Sequence, residues 1–184
     1  QMVHSYEIRG PEGKGFAAPR LMHNSWANIG DRTVIWYSVW REESSTWTLD
    51  NPRSLAQVWV ATWERDRLGF FKPCERDISW GAGDYEPHFI TCPVEVDREG
   101  EVFVNADRLN EHSQLRVELL DREFRPLPGY SGDDCVVLDQ PGLRLPVRWR
   151  GKDKLEKFGH PVRVRVNWEG LRPEDARLFA VYVN

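Results

Sequence analysis

Apolar and polar positions alternate with a period of two along most of the chain. "TVIWYSVW" (Thr33 to Trp40), "LAQVWVATW" (Leu55 to Trp63), "EVFVNAD", "QLRVELLD", "LPVRW", "PVRVRVNW" and "RLFAVYVN" are rich in β-branched and aromatic residues, and Gly, Pro, Asp and Asn separate them. These segments predict strands, because a pleated chain sends successive side chains to opposite faces and β-branched residues pack well there. In "PVRVRVNW", Val162, Val164, Val166 and Trp168 share one face while Arg163, Arg165 and Asn167 share the other. That pattern predicts an antiparallel sheet with one wet side. The final "LFAVYV" is apolar on both faces and predicts a central or covered strand. Only "KDKLEKFG" suits a helical turn, which Gly159 would end. The expected fold class is all-β, an antiparallel β-sandwich preceded by further strands.

The character of the chain changes near Phe70. Before it the sequence is Trp-rich, with the long connection "REESSTWTLDNPRS" between two strands; after it comes "FKPCERDISWGAGDYEPHFITCP". From Val94 onward strands recur at the spacing of a sandwich. The organisation expected is a strand unit over residues 1–70, a junction over 71–93 and a sandwich over 94–184.

With 184 residues the chain can bury a sizeable core, and with 29% charged residues and a net charge of -4 it has no basic footprint. No nucleic-acid partner is expected. No apolar run approaches the ~20 residues that span a bilayer, so no membrane partner is expected either. "QMVHSYEIRG" lacks the apolar centre of a signal peptide. Gln1 stands before Met2, as expected of a chain from whose beginning something has been removed. Cys74, Cys92 and Cys135 form an odd set without a CxxC spacing, which points to free thiols rather than a zinc site or disulfide framework. A single Cys74–Cys92 bridge stays open, and so does the compartment. Nine Trp residues, seven of them between Trp26 and Trp80, supply either a core or a surface on which sugars stack.

The segments "VWVATWERDRLGFF", "EVFVNADRLNEHSQLRVELLDREFRPLPGYSGDDC", "LPVRWRG", "PVRVRVNWEG" and "ARLFAVYV" resemble the end of glycoside hydrolase-like proteins of the invertase, levanase and arabinanase group. Members of that group join a five-bladed β-propeller to a β-sandwich. The resemblance covers roughly the last two-thirds of the chain, and "LRVELLD…PGYSGDDC…VRWRG" is its most specific part. Upstream, "NIGDRTVIWYSVWRE" resembles a strand pair of a propeller blade. The resemblance implies a last blade followed by a sandwich that braces the propeller. The group's catalytic carboxylates lie in early blades that have no counterpart here, so no catalytic residue is carried over. An isolated blade leaves sheet faces and edges bare, which implies a partner, either a second chain or a missing N-terminal propeller region. No cofactor or metal is implied.

Candidate chemistry is sparse. "GDYEPH" places Asp84, Glu86 and His88 close together, as groups for acid-base work or for hydrogen bonds to sugar hydroxyls; a polar junction shaped by Pro87 is the plainer reading. "MHNSWANIGD" precedes the first blade-like strand, so His23, Asn24, Ser25 and Trp26 are candidates for a sugar site, with Trp26 as stacking face and Asn24 as directional donor and acceptor; a buried Trp26 that anchors the strand is the plainer reading. Trp40 and Arg41 close the next strand and offer a second aromatic and cationic pair. The expected substrate-binding set is thus Asn24, Trp26, Trp40, Arg41, Glu86 and His88. Trp36, Trp59 and Trp63 alternate inside predicted strands and are expected in a core, as are Trp149 and Trp168. Asp133 and Asp134 lack the spaced ligands of a calcium loop and read as a solvated turn. The function expected is that of a C-terminal portion or subunit of a glycoside hydrolase-like carbohydrate-active protein, contributing non-catalytic sugar contacts. The alternatives are a self-standing carbohydrate-binding β-sandwich or a purely structural accessory chain.

Overall fold

The computed structural model describes residues 26–40, 56–73 and 86–184. These residues are all-β, with short 3-10 turns at Gly132–Asp134 and Pro173–Asp175 as their only helical pieces. The chain divides into one unit over residues 1–69 and another over 70–184.

In the first unit β1 (Trp26–Ile29), β2 (Arg32–Trp40) and β3 (Ala56–Glu64) form an antiparallel sheet in the order β1-β2-β3. Ile29 pairs with Arg32, so Gly30 and Asp31 alone make the turn. Gly30 takes φ +56 at the first central position, where a tight hairpin requires a residue without a Cβ. Thr33 is fully buried and closes a cycle of hydrogen bonds. Its hydroxyl donates to Asn28 Oδ1 (2.7 Å) and accepts the Asp66 N–H (2.8 Å), while Asn28 Nδ2 donates to Asp66 Oδ1 (2.7 Å). Asp66, at φ +57, thereby ties the end of β3 to the first hairpin. Trp36 opposes Val60 and Trp63 opposes Thr33, so the two tryptophans lie on opposite faces of the sheet, each half-buried. Strand parity thus separates two of the tryptophans that were expected in core positions.

Among its described residues the second unit holds six strands: β4 (His88–Ile90), β5 (Val102–Asp107), β6 (Gln114–Leu120), β7 (Gly142–Pro146), β8 (Arg163–Glu169) and β9 (Arg177–Val183). They make two three-stranded antiparallel sheets, β4-β8-β6 and β7-β5-β9. Val102, Val104 and Ala106 of β5 meet Leu115, Val117 and Leu119 of β6 and Val164, Val166 and Trp168 of β8 in one core, and Trp149 is the largest of its fully buried side chains. Trp149 and Trp168 are buried as expected, and the alternation of "PVRVRVNW" holds, with its valines inward. The stretch 71–93, read as a junction, supplies β4 and a bridge from Phe71 to Leu178.

One expectation is corrected. "KDKLEKFG" forms no helix; Leu155 is buried and exchanges backbone hydrogen bonds with Gly100 (2.8 and 3.2 Å), so tertiary pairing wins over local propensity. β9, expected to be central or covered, lies beside β5 in its sheet, and its Leu178 exchanges backbone hydrogen bonds with Phe71 (2.8 and 3.0 Å). Its apolar residues reflect covered faces, and two-faced burial says nothing about ladder position.

Candidate functional site

Two regions gather polar chemistry, one in each unit. In the first, Trp26, Asn28, Thr33 and Trp63 project from the same face, since Trp26 and Asn28 are two residues apart on β1 and their partners follow the same parity. Trp26 is 59% exposed. Beside it the Asn28–Thr33–Asp66 cycle fixes the Asn28 and Asp66 side chains before any ligand arrives. A flat apolar ring next to pre-oriented amide and carboxylate groups is chemistry suited to a sugar. Asn24 and Arg41 lie outside the described residues, as do His23, Ser25 and Asp84. Trp40 is the last residue of β2, its backbone paired with Ala56.

In the second region the outward face of β4-β8-β6 carries His88, Arg116, Glu118, Arg165, Asn167 and Glu169. Cross-strand register sets His88, Asn167 and Arg116 in one row and Ile90, Arg165 and Glu118 in the next. Glu118 is nearly buried although it faces away from the core. Its Oε1 accepts the Gly132 N–H (2.8 Å) and its Oε2 accepts Asn167 Nδ2 (3.0 Å). Arg165 places its two terminal nitrogens 3.8 Å from Glu118 Oε2 and 3.8 Å from Glu86 Oε2. Arg116 is bound more tightly: Nε donates to Glu169 Oε1 (2.7 Å) and Nη1 to the Gly132 carbonyl (2.9 Å). The Glu169 hydrogen bond raises the Arg116 pKa above its ordinary value, partly opposed by burial. Glu86 and His88 therefore do reach a shared polar cluster. Glu86 stands just ahead of β4, where the Trp168 N–H bonds the Pro87 carbonyl (3.0 Å), and His88 Nδ1 lies 2.9 Å from the Glu86 carbonyl oxygen.

The sequence reading missed Glu118, Arg165 and Asn167 as site residues. Glu118 interrupts the apolar run of "VELL", a signal that was legible. The pairing of β4 with β8 that brings Glu86 to Arg165 was not, because the two lie 79 residues apart (165 minus 86). Asp133 and Asp134 sit in the 3-10 turn Gly132–Asp134, and among the described residues no group of His, Cys, Asp and Glu is arranged to hold a metal ion.

Of the thiols, Cys92 is exposed and Cys135 buried, neither in a disulfide; Cys74 lies outside the described residues. Burial first, and the nearby Glu118 charge second, push the Cys135 thiol up from 9.0 to about 12. Its S–H donates to the Val117 carbonyl (3.1 Å). Alkylation near pH 8 is therefore expected to mark Cys92 and spare Cys135 until denaturant opens the unit, as peptide mass mapping would read. The raised thiol favours the folded state while protonated. Its contribution should be intact below pH 9.0 and fade as pH climbs toward about 12; prompt labelling of Cys135 in the native protein would contradict this.

Compared with known proteins, the chain matches no family model, no curated protein and no solved structure.

Proposed function

We propose that this chain is a non-catalytic, carbohydrate-contacting part of a glycoside hydrolase-like protein, with residues 70–184 as its accessory sandwich and the first sheet as a sugar-contacting surface. One observation carries the reading: Trp26 is exposed on the same sheet face as the hydrogen-bonded Asn28–Thr33–Asp66 cycle. A buried packing role would cover the ring, whereas a stacking role needs it open. The motif resemblance adds the substrate class, furanose- or pyranose-containing polysaccharides, and it matches no catalytic carboxylate to a residue of this sequence. A self-standing carbohydrate-binding sandwich is the second reading, favoured by the core that the 70–184 unit completes from its own strands.

Trp26→Ala in the full chain tests the first reading. Removing the stacking face should weaken binding of fructo- or arabino-oligosaccharides by about 1 kcal/mol, measured by calorimetric titration, while the unfolding transition of the sandwich stays put. Unchanged affinity with a large loss of stability would leave Trp26 as a packing residue and remove the support for this reading.

A further inference from the structure

We propose that the outward face of β4-β8-β6 is a second ligand site, built around Arg165, that recognises a vicinal diol of a neutral sugar. The inference deepens the carbohydrate reading, on which it rests for ligand class alone, and it uses none of the first-sheet residues.

The geometry starts from the two spans on Arg165. Each terminal nitrogen lies 3.8 Å from a carboxylate oxygen, one on Glu118 and one on Glu86. That separation is too long for a hydrogen bond. It is the span closed by one bridging oxygen that accepts from the guanidinium and donates to the carboxylate, with bonds of about 2.8 Å meeting near a right angle. Two such spans sit side by side on one planar fork. Neighbouring gauche hydroxyls present two oxygens at a spacing close to that of the two terminal nitrogens, each with a proton to give. A vicinal diol thus satisfies four groups at once.

The surroundings are prepared for such a ligand. Glu118 cannot swing onto Arg165, because Gly132 N–H and Asn167 Nδ2 hold its two oxygens. Asn167 is only 8% exposed, and its Oδ1 has no hydrogen-bond partner. Arg165 Nε is likewise buried without a partner. Both atoms are closed off from solvent, so they hold a rigid polar row behind the fork, and it is the terminal nitrogens of Arg165 that a ligand would meet. Charge selects the ligand class. One guanidinium between two carboxylates sums to -1, so phosphate or carboxylate ligands are repelled while hydroxyls, which both donate and accept, are accommodated. Arg165 is 23% exposed and Glu86 84% exposed at the side chain, which leaves the fork reachable and lets Glu86 close over the bound diol.

The test is a nitrogen-15 NMR titration of the full chain with methyl α-D-mannopyranoside and with its 3-deoxy analogue, which has no vicinal hydroxyl pair on the ring. The mannoside should shift the Arg165 Nε–H and the Asn167 side-chain amide, and the analogue should not. Glu86→Gln, a change at an exposed position that leaves folding intact, should weaken the mannoside about tenfold, and Arg165→Lys, which loses the fork, should weaken it further. Trp26→Ala should leave these shifts unchanged. No response to the mannoside, an equal response to the 3-deoxy analogue, or unchanged binding by both the Glu86 and Arg165 variants overturns the site. Loss of binding in Trp26→Ala alone would overturn it while sustaining the first-sheet reading. Loss in the Arg165 variant with Trp26→Ala unchanged sustains the site, and the first-sheet reading then stands or falls on its own oligosaccharide titration.

Discussion

Trp149→Ala is expected to cost the 70–184 unit about 3–5 kcal/mol of stability, the range for removing a large aromatic from a packed core. Trp149 is 2% exposed, and its ring meets the Tyr130 ring edge-on with centroids 5.1 Å apart. Its indole N–H donates to the Val117 carbonyl (3.1 Å) on the side of β6 that faces away from β8. Along that edge Leu115 and Leu119 bond to Leu138, Leu127 and Tyr130, all from the chain between β6 and β7. The Trp149 indole and the Cys135 thiol close the remaining carbonyl. The substitution therefore opens a cavity and strips a buried acceptor of its stronger donor, two penalties that add. Denaturant unfolding followed by tyrosine and tryptophan emission would read the loss. A cost below about 1 kcal/mol would mean that the core collapses around the vacancy.

Gly170→Ala should be the next most damaging change, at about 2–4 kcal/mol, from backbone strain and overlap combined. Gly170 follows β8 at φ +100, and a Cβ there would stand 2.4 Å from the His112 carbonyl oxygen and 2.8 Å from its carbon. These are backbone atoms of the turn between β5 and β6, and they cannot step aside cheaply. The same carbonyl accepts the Arg172 N–H (2.8 Å), while Asn110 and Ser113 bond each other across the turn. Displacing His112 would therefore disturb both connections at that end of the sandwich. Gly159→Ala is the control, since a Cβ there meets nothing within 4 Å and the backbone is not left-handed. Thermal unfolding should separate the two by roughly 8–15 °C. Equal melting temperatures would show that the turn relaxes.

The legible part of this fold is what side-chain parity alone determines. The inward set Val162, Val164, Val166 and Trp168 could be read directly, because a strand's period of two leaves one assignment compatible with a buried face. Parity also has limits. It placed Trp36 and Trp63 in strands without saying that register would set them on opposite faces, and it left "LFAVYV" as central or covered, where β5 pairs one side of β9 and Phe71 bridges Leu178 on the other. "KDKLEKFG" misled because local propensity is worth tenths of a kcal/mol per residue, less than the burial of Leu155 contributes.

The candidate sites divide along the same line. Glu86, His88 and Trp26 stood out as residue types at loop and strand boundaries, and the sequence by itself determined the all-β class, the inward and outward positions of β8, and the chemistry available at those boundaries. Which of those groups meet was decided only by tertiary structure. The β4–β8 pairing brings Glu86 to Arg165, the Gly132–Asp134 turn turns a backbone N–H onto Glu118, and Asp66 returns to the first hairpin to close the Asn28–Thr33 cycle. The physical reason is that alternation is a local property, set by sterics within a few residues, whereas strand pairing is chosen by the burial and hydrogen bonding of segments distant in the chain.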